Sequence, residues 1–277
     1  MALPPRPSAV VTGGASGLGR ALCIALAGRG ARILVGDLDE AGARETISRL
    51  RGAEAHFRRC DVSKPEEVAG LADEAYERFG AVDLLVNNAG VAVSGQVGDI
   101  SLDDWQWIMG INLWGVIYGC HHFLPRMRAT ARGHILNVAS AAGLLSAPNM
   151  APYNVTKSAV VALSETLYGD LAGGPVGVSV LCPTFFKTNI GKSGRTTDKS
   201  LGPVLEALLE RGKIQAEGVA ELALQGCERG DLYITPHADG RAMWRIKRLS
   251  PSVFHKLTPK VMEWQLSRLR EKIGHQG

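Results

Sequence analysis

The chain has 277 residues, of which 45% are hydrophobic and 21% charged. These proportions are typical of a soluble globular protein and exclude a disordered, collagen-like or coiled-coil chain. The 31 Lys and Arg residues exceed the 27 Asp and Glu residues by four, an excess too small to favour nucleic acid as the main partner.

Strand and helix patterns alternate along the chain. Strands are predicted at 9–12, 31–36, 55–60, 84–87, 134–139, 177–182 and 231–235. Helices are predicted at 18–27, 39–50, 102–127 and 152–172, and a further helix starts with Ser63 as N-cap and Pro65 in its first turn. The strand sequences LLV, ILNV and VSVL are apolar throughout, as in strands covered by helices on both faces. We therefore predict an α/β fold, a Rossmann-type doubly wound parallel β-sheet flanked by helices.

The charge divides the chain into two parts. Residues 241–277 contain nine basic and two acidic residues, a net +7, whereas residues 1–240 carry −3. We predict one catalytic domain over 1–240 and a basic amphipathic extension over 241–277, with helix starts at Ser250-Pro251 and Thr258-Pro259. The extension either packs on the domain or a second subunit, or lies on an anionic membrane surface.

Composition also suggests a compartment. The five cysteines are widely spaced without a CxxC pair, which favours buried free thiols over a disulfide framework or a zinc site. His121 and His122 are interpreted as structural, so no metal is predicted. No apolar run reaches the ~18 residues of a spanning helix, and Met1–Ser8 lacks the pattern of a signal peptide. We expect a cytoplasmic protein.

Glycine is frequent, with 33 residues, and one cluster has a clear position. The segment TGGASGLG at 12–19 joins the first strand to the first helix, where glycines let the backbone approach a pyrophosphate and the N–H groups of the helix start attract the anion. The candidate cofactor-binding residues in this loop are Gly13, Ser16, Gly17, Leu18 and Gly19.

Asp37 ends the second strand, 20 residues after Gly17. A carboxylate there can accept both adenosine-ribose hydroxyls and repels a 2′-phosphate. No Arg or Lys precedes Gly17 in the loop. Both features favour NAD over NADP as the cofactor, and the alternative is that Asp37 is an ordinary turn residue.

Several motifs occur in an order that resembles the short-chain dehydrogenase/reductase family, over residues 8 to about 236. They are TGxxxGxG at 12–19, Asp61-Val62, Asn87-Asn88-Ala89-Gly90, Asn112, Ser140 and Tyr153-Asn-Val-Thr-Lys157. The resemblance implies that Asp61 and Val62 lie against the adenine and that Asn88, Ala89 and Gly90 line the cofactor cleft. It also implies a homodimer or homotetramer built largely on the helices that hold Asn112 and Tyr153.

Hydride transfer between an alcohol and a nicotinamide needs a group that exchanges the hydroxyl proton. Tyr153 and Lys157 share one face of a helix, so the lysine can lower the tyrosine pKa from about 10 and also reach the cofactor ribose. Ser140 follows an apolar strand, where its hydroxyl can hold the substrate oxygen. For Asn112, the resemblance implies a water-linked proton relay to Lys157. Each residue alone has an ordinary interpretation, as a solvated, capping or exposed side chain.

One segment departs from the family pattern. The family usually has a Pro-Gly turn after the sixth strand, followed by a Thr that contacts the nicotinamide carboxamide. Here Pro183 is followed by Thr184 in place of glycine, and Thr188 takes the carboxamide position. Phe185 and Phe186 either form an apolar wall for the substrate or pack in the core.

The substrate prediction rests on a lid at about 189–215. Its apolar positions are Leu201, Val204, Leu205 and Leu208. We predict an NAD-dependent enzyme interconverting a secondary alcohol and a ketone, with a lipophilic substrate (steroid, retinoid-like or long-chain). The alternatives are an NADPH-dependent carbonyl or 3-oxoacyl-type reductase and a non-enzymatic nucleotide-sensing scaffold.

Overall fold

The computed structural model describes residues 3–188, 190, 194–197, 209–210, 212–258 and 260. Its centre is a seven-stranded sheet of order β3-β2-β1-β4-β6-β7-β9, in which every neighbouring pair is parallel. These strands are β1 (Ser8–Thr12), β2 (Arg32–Asp37), β3 (Ala55–Arg59), β4 (Leu84–Asn87), β6 (Gly133–Val138), β7 (Val176–Leu181) and β9 (Tyr233–Ile234). The predicted doubly wound parallel sheet is confirmed.

Helices cover both faces of the sheet, which explains why the strands are apolar on both sides. The helices are α1 (Gly17–Ala27), α2 (Glu40–Ser48), α3 (Pro65–Phe79), α4 (Leu102–Met109), α5 (Gly115–Ala129), α6 (Ala141–Leu145), α7 (Ala151–Asp170), α8 (Ala216–Arg229) and α9 (Ala238–Leu249). One apolar cluster joins the sheet to α3, α5 and α7 through Leu71, Phe123 and Val160. A second joins it to α1 and α8 through Leu22 and Val219.

Several local elements differ from the sequence prediction. The predicted helix 102–127 is α4 and α5 joined by a π-helical turn, Gly110–Trp114. The N-cap of α3 is Lys64 rather than Ser63, because the Ser63 N–H and hydroxyl both donate to Asp61 Oδ1, at 3.0 and 2.7 Å. Two further strands, β5 (Val93–Ser94) and β8 (Arg195–Thr196), form a small parallel pair.

The basic extension begins inside a helix of the domain. The boundary predicted at residue 240 lies within α9. This helix packs on the sheet, with the centres of the Trp244 ring and of the Tyr233 ring in β9 4.8 Å apart. A second helical stretch follows at 251–258, where Phe254 is buried in the core. The start of the extension therefore packs on the domain, and residues 261–277 lie outside the described residues.

Membrane contact and a cytoplasmic location stay predictions. Among the described residues, no helix is long and apolar enough to cross a bilayer.

His134, at the start of β6, is a buried histidine that we expect to make folding sensitive to acid. Its Nε2 lies 2.9 Å from Ser179 Oγ, and its Nδ1 finds no partner among the described residues. Burial lowers the pKa of His134 from 6.5 to about 4. Between these values the unfolded chain binds a proton that the folded chain does not, so stability falls as pH falls from 6.5 towards 4.

The prediction concerns the His134→Gln variant, whose side chain does not titrate. We expect the wild-type free energy of unfolding to drop by about 3 kcal/mol more than that of the variant over this pH window. Urea unfolding at pH 7, 6, 5 and 4 measures the difference. Parallel pH profiles for the two proteins would contradict the assignment.

Candidate active site

The glycine loop lies at the carboxyl end of β1. A Cβ on Gly13 would lie 2.8 Å from Ala89 Cα, and a Cβ on Gly19 would lie 2.0 Å from the Gly13 carbonyl oxygen. Gly13 has φ +68°, a left-handed conformation that glycine adopts without strain. Ser16 is the N-cap of α1, and no side-chain cap bond is made there in the described chain. The backbone thus forms a close-fitting cradle whose helical N–H groups suit an anion.

Thr12 and Asn88 tie this cradle to the next strand. Thr12 Oγ1 accepts the N–H groups of Asn88 and Ala89, at 3.0 and 3.1 Å. Asn88 Nδ2 donates to the carbonyl oxygens of Thr12 and Gly13, at 2.9 and 3.1 Å. Thr12 was not among the predicted site residues, although its place as the last residue before the glycines is a usable signal.

Buried amides connect the end of β4 to the helix that carries Tyr153. Asn87 Nδ2 donates to Asn137 Oδ1 at 2.9 Å, and Asn137 Nδ2 donates to Ser164 Oγ at 3.0 Å. Asn137 and Ser164 were also missed by the sequence analysis. An amide inside the apolar strand ILNV was the signal, because a buried amide needs partners.

Asp37 lies beside the cradle at the end of β2. Its Oδ2 accepts the Ala15 N–H at 2.8 Å, and its Oδ1 accepts the Asp39 N–H at 3.0 Å. A carboxylate has about four lone-pair positions, so two remain for a pair of ribose hydroxyls. The nearby cation Arg20 is engaged with Glu45 at 2.8 Å and with the Ala15 carbonyl at 2.6 Å.

Asp61 and Val62 follow β3 at the same edge of the sheet. The Asp61 N–H donates to Glu67 Oε2 at 2.8 Å, and its carboxylate holds Ser63. Val62 is buried against Gly115, where a Cβ would lie 2.9 Å from a Val62 methyl carbon. These contacts fix the loop where the adenine half of a dinucleotide is expected.

Tyr153 and Lys157 lie one turn apart on α7, and both are buried. Lys157 Nζ is 5.8 Å from the centre of the Tyr153 ring and donates to the Val138 carbonyl oxygen at 2.8 Å. The side chain of Tyr153 interacts with that of Ser140, which follows β6 and caps α6 by accepting the Ala142 N–H at 3.1 Å. Three of the four predicted catalytic side chains therefore meet at the carboxyl edge of the sheet.

Burial controls the protonation of this group. It raises the pKa of Tyr153, while the hydrogen bond from Ser140 acts in the opposite direction. It lowers the pKa of Lys157 from 10.5 to about 8. Lys157 was predicted to lower the pKa of Tyr153, but without a cofactor this pKa shifts upward. Desolvation disfavours the phenolate more strongly than the neighbouring groups favour it.

Asn112 lies in the π-helical turn and is fully buried. Its Oδ1 accepts the Val91 N–H at 2.8 Å, and its Nδ2 donates to the Val91 carbonyl at 2.9 Å and to Thr156 Oγ1 at 3.3 Å. Both amide hydrogens are therefore used by the protein, and the water-linked relay to Lys157 stays a prediction. A Cβ on Gly90 would lie 3.2 Å from Asn112 Oδ1 and 3.5 Å from Lys157 Nζ, so the three residues meet.

The segment 183–188 follows β7, and its two phenylalanines lie in different environments. Phe186 is buried in the core and stacks on His237, with ring centres 6.3 Å apart, so the core alternative describes it. Phe185 is 43% exposed and remains available to a ligand. The Pro183 carbonyl accepts the Ala141 N–H at 2.8 Å, and Thr188 Oγ1 lies 3.4 Å from the Ile190 N.

One part of the predicted lid is anchored to the domain. β8 pairs with β5, and the Arg195 guanidinium binds Asp104 at 2.7 Å and lies 3.9 Å from the centre of the Trp107 ring. The apolar lid positions 201, 204, 205 and 208 lie outside the described residues.

Comparison with known proteins decides the family. A family model described as short chain dehydrogenase matches residues 7–199. The chain belongs to the short-chain dehydrogenase family. The C alpha-dehydrogenase of Sphingobium sp. is 34% identical over 248 residues, which cover 84% of this chain and 81% of that protein.

Two solved structures extend the comparison. A short-chain dehydrogenase/reductase from Burkholderia phymatum in complex with NAD is 38% identical, with a TM-score of 0.87 over 91% of this chain and 96% of that one. An alcohol dehydrogenase from Thermococcus sibiricus complexed with 5-hydroxy-NADP is 28% identical, with a TM-score of 0.67 over 79% of this chain and 89% of that one. As a short-chain dehydrogenase, the protein is an oxidoreductase acting between an alcohol and a carbonyl compound.

Proposed function

We propose that this protein is an NAD-dependent dehydrogenase that interconverts a secondary alcohol and a ketone, with Tyr153 as the acid/base. The observation that carries the proposal is the group of Tyr153, Ser140 and Lys157, of which Tyr153 and Lys157 are buried, at the edge of the sheet where the glycine cradle lies. The nicotinamide of bound NAD supplies the hydride acceptor in this reaction.

The side chains divide the remaining work. Tyr153 takes the proton from the substrate hydroxyl during oxidation and returns it during reduction. Ser140 holds the substrate oxygen beside the tyrosine by a hydrogen bond. Lys157 would stabilise the phenolate by its charge and could donate to the nicotinamide ribose, while its bond to the Val138 carbonyl keeps it in place. Asn112 supports Lys157 through the Val91–Gly90 turn.

The cradle and Asp37 would hold the dinucleotide. The N–H groups at the start of α1 would hold the pyrophosphate, and the two free lone-pair positions of the Asp37 carboxylate would accept the ribose hydroxyls. A 2′-phosphate placed there would be repelled by the carboxylate, and Arg20 is already paired with Glu45. These features support NAD.

Substitution of Asp37 tests the cofactor preference. We expect wild-type protein to bind NADH at least about tenfold more tightly than NADPH, and Asp37→Ala to weaken NADH binding by about tenfold or more, because charge-assisted hydrogen bonds are lost. Titration of nicotinamide fluorescence measures both. The control is Asp99→Ala, which removes one exposed carboxylate outside the site. Tighter wild-type binding of NADPH would support the NADPH-dependent reductase instead.

For the substrate we propose a lipophilic alcohol. The exposed ring of Phe185 and the apolar positions of the predicted lid support an apolar wall. A panel of aliphatic, steroid and retinoid secondary alcohols with NAD, followed by nicotinamide absorbance, tests this. We expect kcat/KM to rise with chain length or apolar area. A preference for small polyols over every apolar alcohol would contradict it.

Short-chain dehydrogenases typically form oligomers, and we propose a homodimer or homotetramer here. Large hydrophobic side chains are about half exposed at two helices in the single chain: Trp114 just before α5 (48%), and Val155 (46%) and Tyr168 (47%) on α7. These helices hold Asn112 and Tyr153, as the predicted interface requires. Light scattering of the purified protein measures the assembly, and a monomer at micromolar concentration would contradict it.

A further inference from the structure

The first turn of α9 packs against the loop that departs from the family pattern. A Cβ on Gly240 would lie only 2.6 Å from the Thr184 methyl carbon and 4.0 Å from Ala141 Cβ. Thr184 is the residue that stands where the family usually has glycine. The methyl group of Thr184 fits here because Gly240, which faces it, has no side chain.

His237, the N-cap residue of α9, holds the same loop by hydrogen bonds. Its buried ring accepts the Thr184 N–H on Nδ1 at 3.3 Å, so the ring hydrogen lies on Nε2, which is 3.2 Å from the Ile214 carbonyl oxygen. Arg241 fixes the start of the helix by donating to the Thr235 and Pro236 carbonyls, at 2.6 and 2.9 Å.

The last turn of α9 reaches the short helix that begins at Ser140. Lys247 Nζ donates to the Leu144 carbonyl oxygen at 2.8 Å and lies 3.5 Å from Ser146 Oγ. The last carbonyls of a helix lack helical partners and carry partial negative charge, so an ammonium group suits this position. α6 also packs on the catalytic helix, because a Cβ on Gly143 would lie 2.6 Å from the Lys157 carbonyl.

We propose that α9 is a brace of the active site, in which Gly240 and Lys247 are positioning residues for Ser140 and for the loop 183–188. The proposal rests on the proposed function for the role of Ser140. The first turn of α9 contacts the loop 183–188 and the first residue of α6, and its last turn contacts the end of α6. A shift of this helix therefore moves the substrate anchor and the nicotinamide side of the site together.

The Gly240→Ala variant tests the steric part. Helix propensity alone favours alanine at this position, so a loss identifies the clash with Thr184. We expect kcat/KM for the alcohol to fall by about tenfold, as misplaced reacting groups are costly. The double variant Thr184→Gly with Gly240→Ala removes the methyl group and should recover most of this loss. Gly169→Ala is the matched helical control, since no described atom lies within 4 Å of a Cβ there.

Lys247→Met tests the polar part, because methionine keeps most of the side-chain volume without the charge. We expect a similar loss of kcat/KM with unchanged affinity for NADH, whose cradle lies at α1, and partial recovery in Lys247→Arg. Arg245→Met, which removes an exposed charge of the same helix, is the control. A fall in thermal stability with unchanged kcat/KM in both Gly240→Ala and Lys247→Met would overturn the proposal.

Hydrogen exchange provides a readout that needs no turnover. The Ala142 amide, which donates to Ser140 Oγ, should exchange faster in Gly240→Ala and return towards wild type in the double variant. If no alcohol is turned over but exchange follows this order, the brace stands and the proposed function fails. If the wild type oxidises an alcohol but the Ala142 amide of Gly240→Ala exchanges at the wild-type rate, the brace is refuted and the proposed function stands.

Discussion

Replacing Tyr153 with phenylalanine is expected to lower kcat by about 10²–10⁴-fold, the usual range for loss of a general acid/base. The ring is retained and the cradle is untouched, so NADH affinity should stay within about twofold of wild type. Initial rates followed by nicotinamide absorbance, together with fluorescence titration of NADH, separate the two effects. Tyr168→Phe on the same helix is the matched control, since its exposed ring lies outside the site.

The pH profile gives the Tyr153 test a second readout. Burial raises the pKa of Tyr153 in the chain alone, so the phenolate that accepts the substrate proton becomes more abundant as pH rises. We expect wild-type kcat/KM for oxidation to increase with pH, and the residual activity of Tyr153→Phe to lose that rise. Unchanged turnover of every accepted alcohol in this variant would falsify the mechanism and favour the scaffold alternative.

Alanine at Gly19 is expected to abolish most dinucleotide binding. The new Cβ would lie 2.0 Å from the Gly13 carbonyl oxygen and 2.7 Å from Asn88 Nδ2, so the cradle and the β4 turn must both move. We expect NADH affinity to fall by about 100-fold or more, close to 3 kcal/mol. Equilibrium dialysis with the purified variant measures this, and circular dichroism checks that the sheet and helices are retained.

The control for Gly19 is Gly98→Ala. No described atom lies within 4 Å of a Cβ there, and Gly98 is not among the glycines with positive φ. Binding of NADH by Gly98→Ala should therefore equal that of wild type. If Gly19→Ala folds and binds NADH as tightly as wild type, the glycine loop is not the pyrophosphate site.

The strand and helix pattern was predictable because strands inside the sheet, such as β4 and β6, are buried along their whole length and contain apolar runs. β5 and β8 were not predicted, since each has two residues and neither contains an apolar run, whereas β9 is as short but was predicted within 231–235. α6 was hidden because Ser140 was considered as a strand-end residue, although it also caps a helix. Asn112 in the π-helical turn bonds to Val91, which is 21 residues away in sequence, so local patterns do not show this contact.

The site was predictable to the extent that motif spacing fixes side-chain position. The i, i+4 spacing placed Tyr153 and Lys157 together, but it could not reveal that burial dominates their pKa shifts. Phe186 shows the same limit, because an aromatic residue after a strand can face a ligand or the core with equal plausibility. The role of α9 was missed, since its charge suggested a separate extension and only the packing shows Gly240 against Thr184.

The π-helical turn between α4 and α5 also limits how the chain can change. Such a turn holds one residue more than an α-helical turn. Deleting a single residue within Gly110–Trp114 would close this wide turn to a regular helix, and the helix that follows would keep its faces. Gly119 would stay against Asn87 and Phe123 would stay in the core. The part that a change in length would disturb is Asn112, whose amide binds Val91 from within the turn.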